Sequence, residues 1–244
     1  MQLSFVIPAF NEAKCIEACL QHIDAAVESC RQSGAPPFDV ERIVVDNNST
    51  DETASLAEAA GATVVFEPVN QISRARNAGA NVAGGDWLIF VDADSDLSAE
   101  LLSDVLDLID GGKHIGCGSV MEMHDVPFMW RISIGSWNRL SRWLNWAAGS
   151  FLVCQKDAFS ELGGFSEQLY VSEEIEFSRR AKRYARQHGK QFVVLHEHPL
   201  VTSGRKAKLY SNWEVFKQAC RLWFGPRKTP KNRRALDVWY DGRR

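Results

Sequence analysis

Two carboxylates one residue apart, Asp92 and Asp94, follow the apolar run Trp87-Leu-Ile-Phe-Val91. Such a pair repels itself unless a cation joins it. Mg²⁺ or Mn²⁺ suits the position, because these ions take few protein carboxylates and complete their shell with phosphate oxygens. An ion held there would neutralise charge on a departing diphosphate. Taken alone, Asp-x-Asp fits a solvated helix-capping loop as well, so its neighbours decide. Asp46 ends a second apolar run, residues 42–46, where its carboxylate can accept from the N–H of a nucleobase. A first run ends in the loop Pro8-Ala-Phe-Asn-Glu12, whose Asn11 and Glu12 can reach base or ribose. Asp and Asn in these places also serve as turn and cap residues. Arg74 and Arg76 open a helical pattern, and a guanidinium there can pair with a donor phosphate or orient the Asp92/Asp94 loop. For either arginine alone a surface ion pair is the competing reading.

Positioning these groups requires strands that end together. Residues 3–8, 42–46, 63–66 and 86–91 are short apolar runs, separated by helical patterns over 12–32, 73–83 and 98–110. The helix following residue 46 has Ser49 or Thr50 as its expected cap, and Ser98 caps the helix to Asp110. Strands apolar on both faces and alternating with helices predict a mostly parallel sheet covered on both sides. Ligands of such sheets sit at the carboxyl ends of the strands, where Asn11, Glu12, Asp46, Asp92 and Asp94 gather. Beyond residue 110 strands are expected at 115–123, 150–154 and 191–195, and helices at 157–162, 173–187 and 210–223. Residues 127–149 carry four tryptophans (Trp130, Trp137, Trp143, Trp146) with Arg131, Arg139 and Arg142 between them. That mixture suits stacking on sugar rings, rest at a lipid headgroup layer, or core packing.

Four strings, in order, carry a resemblance: Val6-Ile-Pro-Ala-Phe-Asn-Glu12, Val45-Asp-Asn-Asn-Ser-Thr-Asp-Glu-Thr53, Arg74-Ala-Arg-Asn-Ala-Gly79 and Gly85-Asp-Trp-Leu-Ile-Phe-Val-Asp-Ala-Asp94. Together they resemble the family 2 glycosyltransferases of GT-A fold, over residues 3 to about 186. Phe159-Ser-Glu-Leu-Gly-Gly-Phe165, followed by Glu173-Glu174-Ile-Glu176, is similar to that family's GGF…ED stretch. The resemblance implies an inverting single displacement from a nucleotide-diphosphate sugar, with a divalent metal on Asp94 and Asp92. It implies Asp46 and Glu12, with Pro8 and Asn11 beside them, on the nucleoside, and Glu174 or its neighbour Glu173 as the base that deprotonates an acceptor hydroxyl. An acidic first turn also favours the helix dipole, whatever its chemistry. In this fold His198 is a candidate further ligand of the metal, or else a structural histidine. Arg74, Arg76, Arg205 and Lys206 would meet phosphate charge, the last two on a basic loop that is otherwise a linker. The donor is a nucleotide-diphosphate sugar, the acceptor is left open, and no nucleic acid partner is implied. Two rivals are a sugar nucleotidyltransferase, which wants a glycine-rich phosphate loop where Pro8-Ala-Phe-Asn-Glu12 has no glycine, and a non-catalytic scaffold on the same fold.

Bulk properties agree with one folded domain. Hydrophobic residues at 45% and charged residues at 24% of the 244 exclude wholesale disorder. The net charge of −3 conceals a division: from Gly204 to Arg244 there are twelve Lys and Arg against three Asp and Glu, leaving sixteen against twenty-eight elsewhere. We therefore expect a GT-A domain over 1–203 and a basic, largely helical extension over 204–244. Its charge suits phosphates, anionic lipid or nucleic acid, or simply a solvated face. The six cysteines have no Cys-x-x-Cys spacing, there is no leader-like apolar segment at the start, and no run reaches the ~18 apolar residues of a membrane span. The expected place is the cytoplasm, with contact at the inner face of a membrane.

Overall fold

A computed structural model describes residues 1–124, 126–147 and 149–204. Its elements run β1 (Gln2–Ala9), α1 (Ile16–Gln32), β2 (Asp39–Asp46), α2 (Thr53–Ala59), β3 (Thr63–Phe66), α3 (Ile72–Val82), β4 (Trp87–Val91), β5 (Ser95–Asp96), α4 (Ala99–Asp110), β6 (His114–Met123), α5 (Phe128–Leu144), β7 (Phe151–Gln155), α6 (Lys156–Glu161), α7 (Glu173–Gln187) and β8 (Gln191–Thr202). Arg205, Lys206 and the helix expected over 210–223 lie outside the described residues.

One eight-stranded sheet has the order β3-β2-β1-β4-β7-β6-β8-β5. The first four of these strands are parallel, so their carboxyl ends share an edge. β7 reverses direction against β4 and β6, while β6 and β8 are parallel again. Alternate residues of the central strands feed two cores. Leu3, Phe5 and Ile7 of β1 pack under α1 and α4, where Ile16, Leu20, Ile23 and Val27 repeat at helical spacing. Val6, Leu88 and Phe90 pack on the other face under α3, α6 and α7. α4 begins as its cap predicts, the Ser98 hydroxyl accepting from Leu101 N–H at 3.1 Å.

Three expectations need correction. Helix α1 starts at Ile16, not at residue 12, because Asn11 adopts a left-handed φ of 54° and the Glu12 carbonyl closes a turn on Cys15 and Ile16. Neither Ser49 nor Thr50 caps α2. That helix begins at Thr53 with Glu52 at its cap position, and Asp51 accepts from Thr53 N–H at 3.1 Å. Residues 128–144 of the tryptophan-rich stretch, for which the sequence pattern named no element, form a helix. Finally, β8 continues to Thr202, so His196 and His198 lie inside the strand rather than after it.

Candidate active site

The rim of the sheet is built from two loops laced together by side chains. Asn11 N–H donates to Ser49 Oγ at 3.0 Å, and Asn11 Oδ1 accepts from Thr50 N–H at 2.8 Å. Glu12 N–H donates to Thr53 Oγ1 at 2.8 Å and Ala13 N–H to Asp51 Oδ2 at 3.2 Å. Ser49 and Thr50 thus lace the loops instead of capping a helix. Asp46 stands opposite Ala9 at the end of the β1–β2 ladder, and its Oδ1 accepts from Ser49 N–H at 3.0 Å. Glu12 and Asp46 are both buried. Pro8 lacks an N–H, which is tolerated here because pairing with β4 stops at Val6.

Two strands away, about 10 Å at ordinary strand spacing, the chain leaves β4 at Asp92. Arg76, on α3 and 1% exposed, reaches three carboxylates at this point. Its Nη2 donates to Asp92 Oδ1 at 2.9 Å, and its Nη1 to Glu173 Oε1 at 3.1 Å and to Glu174 Oε1 at 2.7 Å. Its Nε is buried without a hydrogen-bond partner among the described residues. Burial alone would lower the guanidinium pKa, but Glu174, Asp92 and Glu173 together push it further up. Burial holds Glu173 well above the usual carboxylate range, the charge of Glu174 adds to that, and Arg76 opposes it. Glu173 is closed off at 2% exposure, while the Glu174 side chain keeps 12% and that of Asp92 25%.

The acidic pair is delivered by a wedge of aromatic rings. Phe165 stacks near Phe90 of β4, Phe159 of α6 and Phe177 of α7, with centroids 5.0–5.4 Å apart. Asn77 grips the Phe165 backbone from both sides, donating to its carbonyl and accepting from its N–H at 2.9 Å each. Gly164 has φ +67°, and a Cβ there would fall 2.7 Å from Asn77 Oδ1. Sequence reasoning gave Asn77 no role, although it lies inside one of the resemblance strings. It likewise missed Asn47, a buried clamp that bonds the carbonyls of Glu67 and Val69 and accepts from Gln71 N–H at 2.9 Å.

Two candidates stand apart from this cluster. Arg74 forms a partly exposed ion pair with Glu167 at 2.9 Å. His198 Nδ1 bonds Asp104 Oδ2 of α4 at 2.9 Å, and four residues of strand, about 13 Å, separate it from Thr202 beside the Asp94 loop. Among the described residues no group of three His, Cys, Asp or Glu is arranged to hold a metal. Asp92 and Asp94 still fit a hard cation that needs one or two carboxylates and takes its remaining oxygens from water and phosphate. Asp92 spends Oδ1 on Arg76 and stays a quarter exposed, and Asp94 is half-buried.

The model of glycosyl transferase family 2 matches residues 4–159, more than half of the chain. The chain belongs to that family. An uncharacterized glycosyltransferase of Mycobacterium tuberculosis is 29% identical over 134 residues, 55% of this chain and 56% of that one. A Rickettsia conorii relative, also an uncharacterized glycosyltransferase, is 38% identical over 65 residues, 27% of this chain and 23% of its own. This family member thus spans about half the length of the curated relatives it matches first. Among solved structures, S. aureus TarS 1–349 in complex with UDP has a TM-score of 0.62 at 20% identity, covering 83% of this chain and 60% of that one. The mannosyltransferase PcManGT from Pyrobaculum calidifontis, in complex with GDP-Man and Mn²⁺, has a TM-score of 0.62 at 18% identity, covering 97% and 68%. These likenesses establish a GT-A fold.

Proposed function

We propose that the protein transfers a glycosyl group from a nucleotide-diphosphate sugar to an acceptor hydroxyl by a single inverting displacement. One observation carries the reading. Arg76 joins the first carboxylate beyond β4 to the acidic pair that opens α7, so the donor-side and acceptor-side groups are fixed in one frame. Asp46 and Glu12, with Pro8 and Asn11 in the laced rim, hold the nucleoside. The diphosphate meets Asp92 and Asp94, with Arg205 and Lys206 supplying positive charge. Arg74, paired to Glu167, acts at the outer edge.

Glu174 is the base, because it keeps an open side while Glu173 is sealed against Arg76. It takes the proton from the acceptor hydroxyl as that oxygen bonds the anomeric carbon. The bond from the same carbon to the diphosphate oxygen breaks, and its electron pair leaves with the diphosphate. Mg²⁺ or Mn²⁺ on Asp94 and Asp92 would offset the negative charge of that leaving group. His198, held by Asp104, is not drawn on.

Calorimetric titration with nucleotide-diphosphate sugars and Mn²⁺ tests the metal role, since Asp94→Ala should abolish metal-dependent binding. Glu174→Gln should leave binding intact and cut transfer by ~10²-fold or more. Should Glu173→Gln alone produce that loss, the base is Glu173.

A further inference from the structure

We propose that α5 is an interfacial helix that docks the protein on an anionic lipid bilayer. Of its seventeen residues only Ser141 is buried. At 3.6 residues per turn, Phe128, Ile132 and Trp143 share an arc of about 60° on its outer side. They are 73%, 48% and 80% exposed, and Met129 beside them is 58% exposed. Arg131 and Arg142 are exposed on one flank of that arc, and Arg139, also exposed, lies within it. No Asp or Glu occurs anywhere from Phe128 to Gly149. The inner side carries Trp130, Ile134, Trp137 and Leu144, which are half-buried against the body.

Core packing therefore leaves these outward side chains unexplained. A helix with large apolar side chains on one strip and arginines along it lies flat in the headgroup layer, its rings in the acyl boundary and its guanidiniums on lipid phosphates. Charge selects the occupant. A twofold pairing of α5 with its copy would set arginines against arginines, whereas an anionic leaflet complements them. The chain after Gly204, with its surplus of nine basic residues, departs from beside the same helix. A Cβ on Gly204 would fall 2.7 Å from the His124 carbonyl and 2.7 Å from Val126, two residues before α5 begins. Gly204, the last described residue, thus lies beside the start of α5. This inference does not depend on the transfer reaction.

Flotation of the full chain with vesicles of mixed phosphatidylglycerol and phosphatidylcholine, against phosphatidylcholine alone, tests it. Binding is expected to the mixed vesicles only, and to weaken with added salt. Phe128→Ser with Trp143→Ser should reduce binding about tenfold or more. Arg131→Gln with Arg139→Gln and Arg142→Gln should reduce it on the order of a hundredfold, at about fivefold per arginine. These side chains are exposed, so unfolding temperatures should stay unchanged and serve as the control. Three results overturn the proposal: no binding to mixed vesicles; full binding by both sets of variants, which assigns the contact to residues 205–244 alone; or a dimer in light scattering that Phe128→Ser splits, which assigns the face to a second copy.

Discussion

Arg76 gathers three carboxylates on one guanidinium in a nearly dry place, and with all three ionised the cluster carries two surplus negative charges. A buried ion group that loses one partner costs about 3–5 kcal/mol, because the others are left without compensation. Arg76→Met should therefore lower stability by roughly that amount in urea denaturation, and an unchanged midpoint would mean that the cluster is open to water. Arg76→Lys should not restore it, since one ammonium cannot reproduce the planar fork that reaches Asp92 on one nitrogen and both glutamates on the other. The sign for Glu173 follows from its raised pKa. Its favourable contribution is complete below the unfolded value of about 4.3 and is lost as pH rises through the folded value. Relative to wild type, Glu173→Gln should thus gain stability as pH rises above the unfolded value of about 4.3 and through the raised folded value. Parallel denaturation curves with no pH-dependent difference would refute a buried, proton-holding Glu173. At this scale the carboxylates were legible because strand periodicity assigns their ends. The threefold role of Arg76 was not, since its partners lie 16, 97 and 98 residues away and no local pattern encodes such a distance. His198 illustrates the same gap: the chain offers a metal-ligating side chain near the end of β8, and only the packing of α4 supplies Asp104 to its ring nitrogen.

Helix α3 shows how a single element converts a string of residue types into placement. Arg74 faces Glu167, Arg76 faces the acidic cluster, Asn77 holds the Phe165 backbone, and Gly79 lets the helix settle on the sheet. A Cβ at Gly79 would lie 2.4 Å from Val6 Cγ1 and 2.8 Å from Val45 Cγ2. Gly79→Ala sets two effects in opposition. Helix propensity favours Ala by about 1 kcal/mol, and overpacking costs about 1–3 kcal/mol. The clash should win, because β-branched valines in adjacent strands have little rotamer freedom with which to yield. A net loss of up to about 2 kcal/mol and a raised KM for donor are expected, as α3 carries Arg76 outward. A stabilised variant would show that α3 has room to move. The resemblance string made this helix recognisable, and its 3.6 periodicity fixed its bounds to within a residue. α5 was harder: its tryptophans and arginines admit core, sugar or lipid surroundings equally, and only its packing shows one face turned away from the body.

For the whole molecule, alternation of apolar runs and helical patterns was enough to give the parallel half of the sheet, because each strand there is followed by its covering helix. The other half resists such reading. β7 enters between β4 and β6 in reverse, and β8 bends through a register shift against β6 before meeting β5 at Ser95 and Thr202. Those pairings are long-range, and loop composition does not specify them. Among the described residues all eight strands and both cores lie within residues 2–202, so the domain is expected not to need residues 205–244. A chain ending at Gly204 is expected to unfold in one transition near the full-length midpoint. Removing Arg205 and Lys206 should weaken nucleotide-diphosphate-sugar binding about 10–100-fold, as each charge-assisted hydrogen bond is worth about 1.5–3 kcal/mol and not every one is retained in full. The salt dependence of that binding should fall with it, because phosphate contacts are the screened part of the interaction. If the shortened chain fails to fold, residues 205–244 complete the domain rather than extend it. If it folds and binds donor unchanged, the two basic residues lie away from the diphosphate, and the positive charge that meets the leaving group must come from the Arg76 side of the cleft.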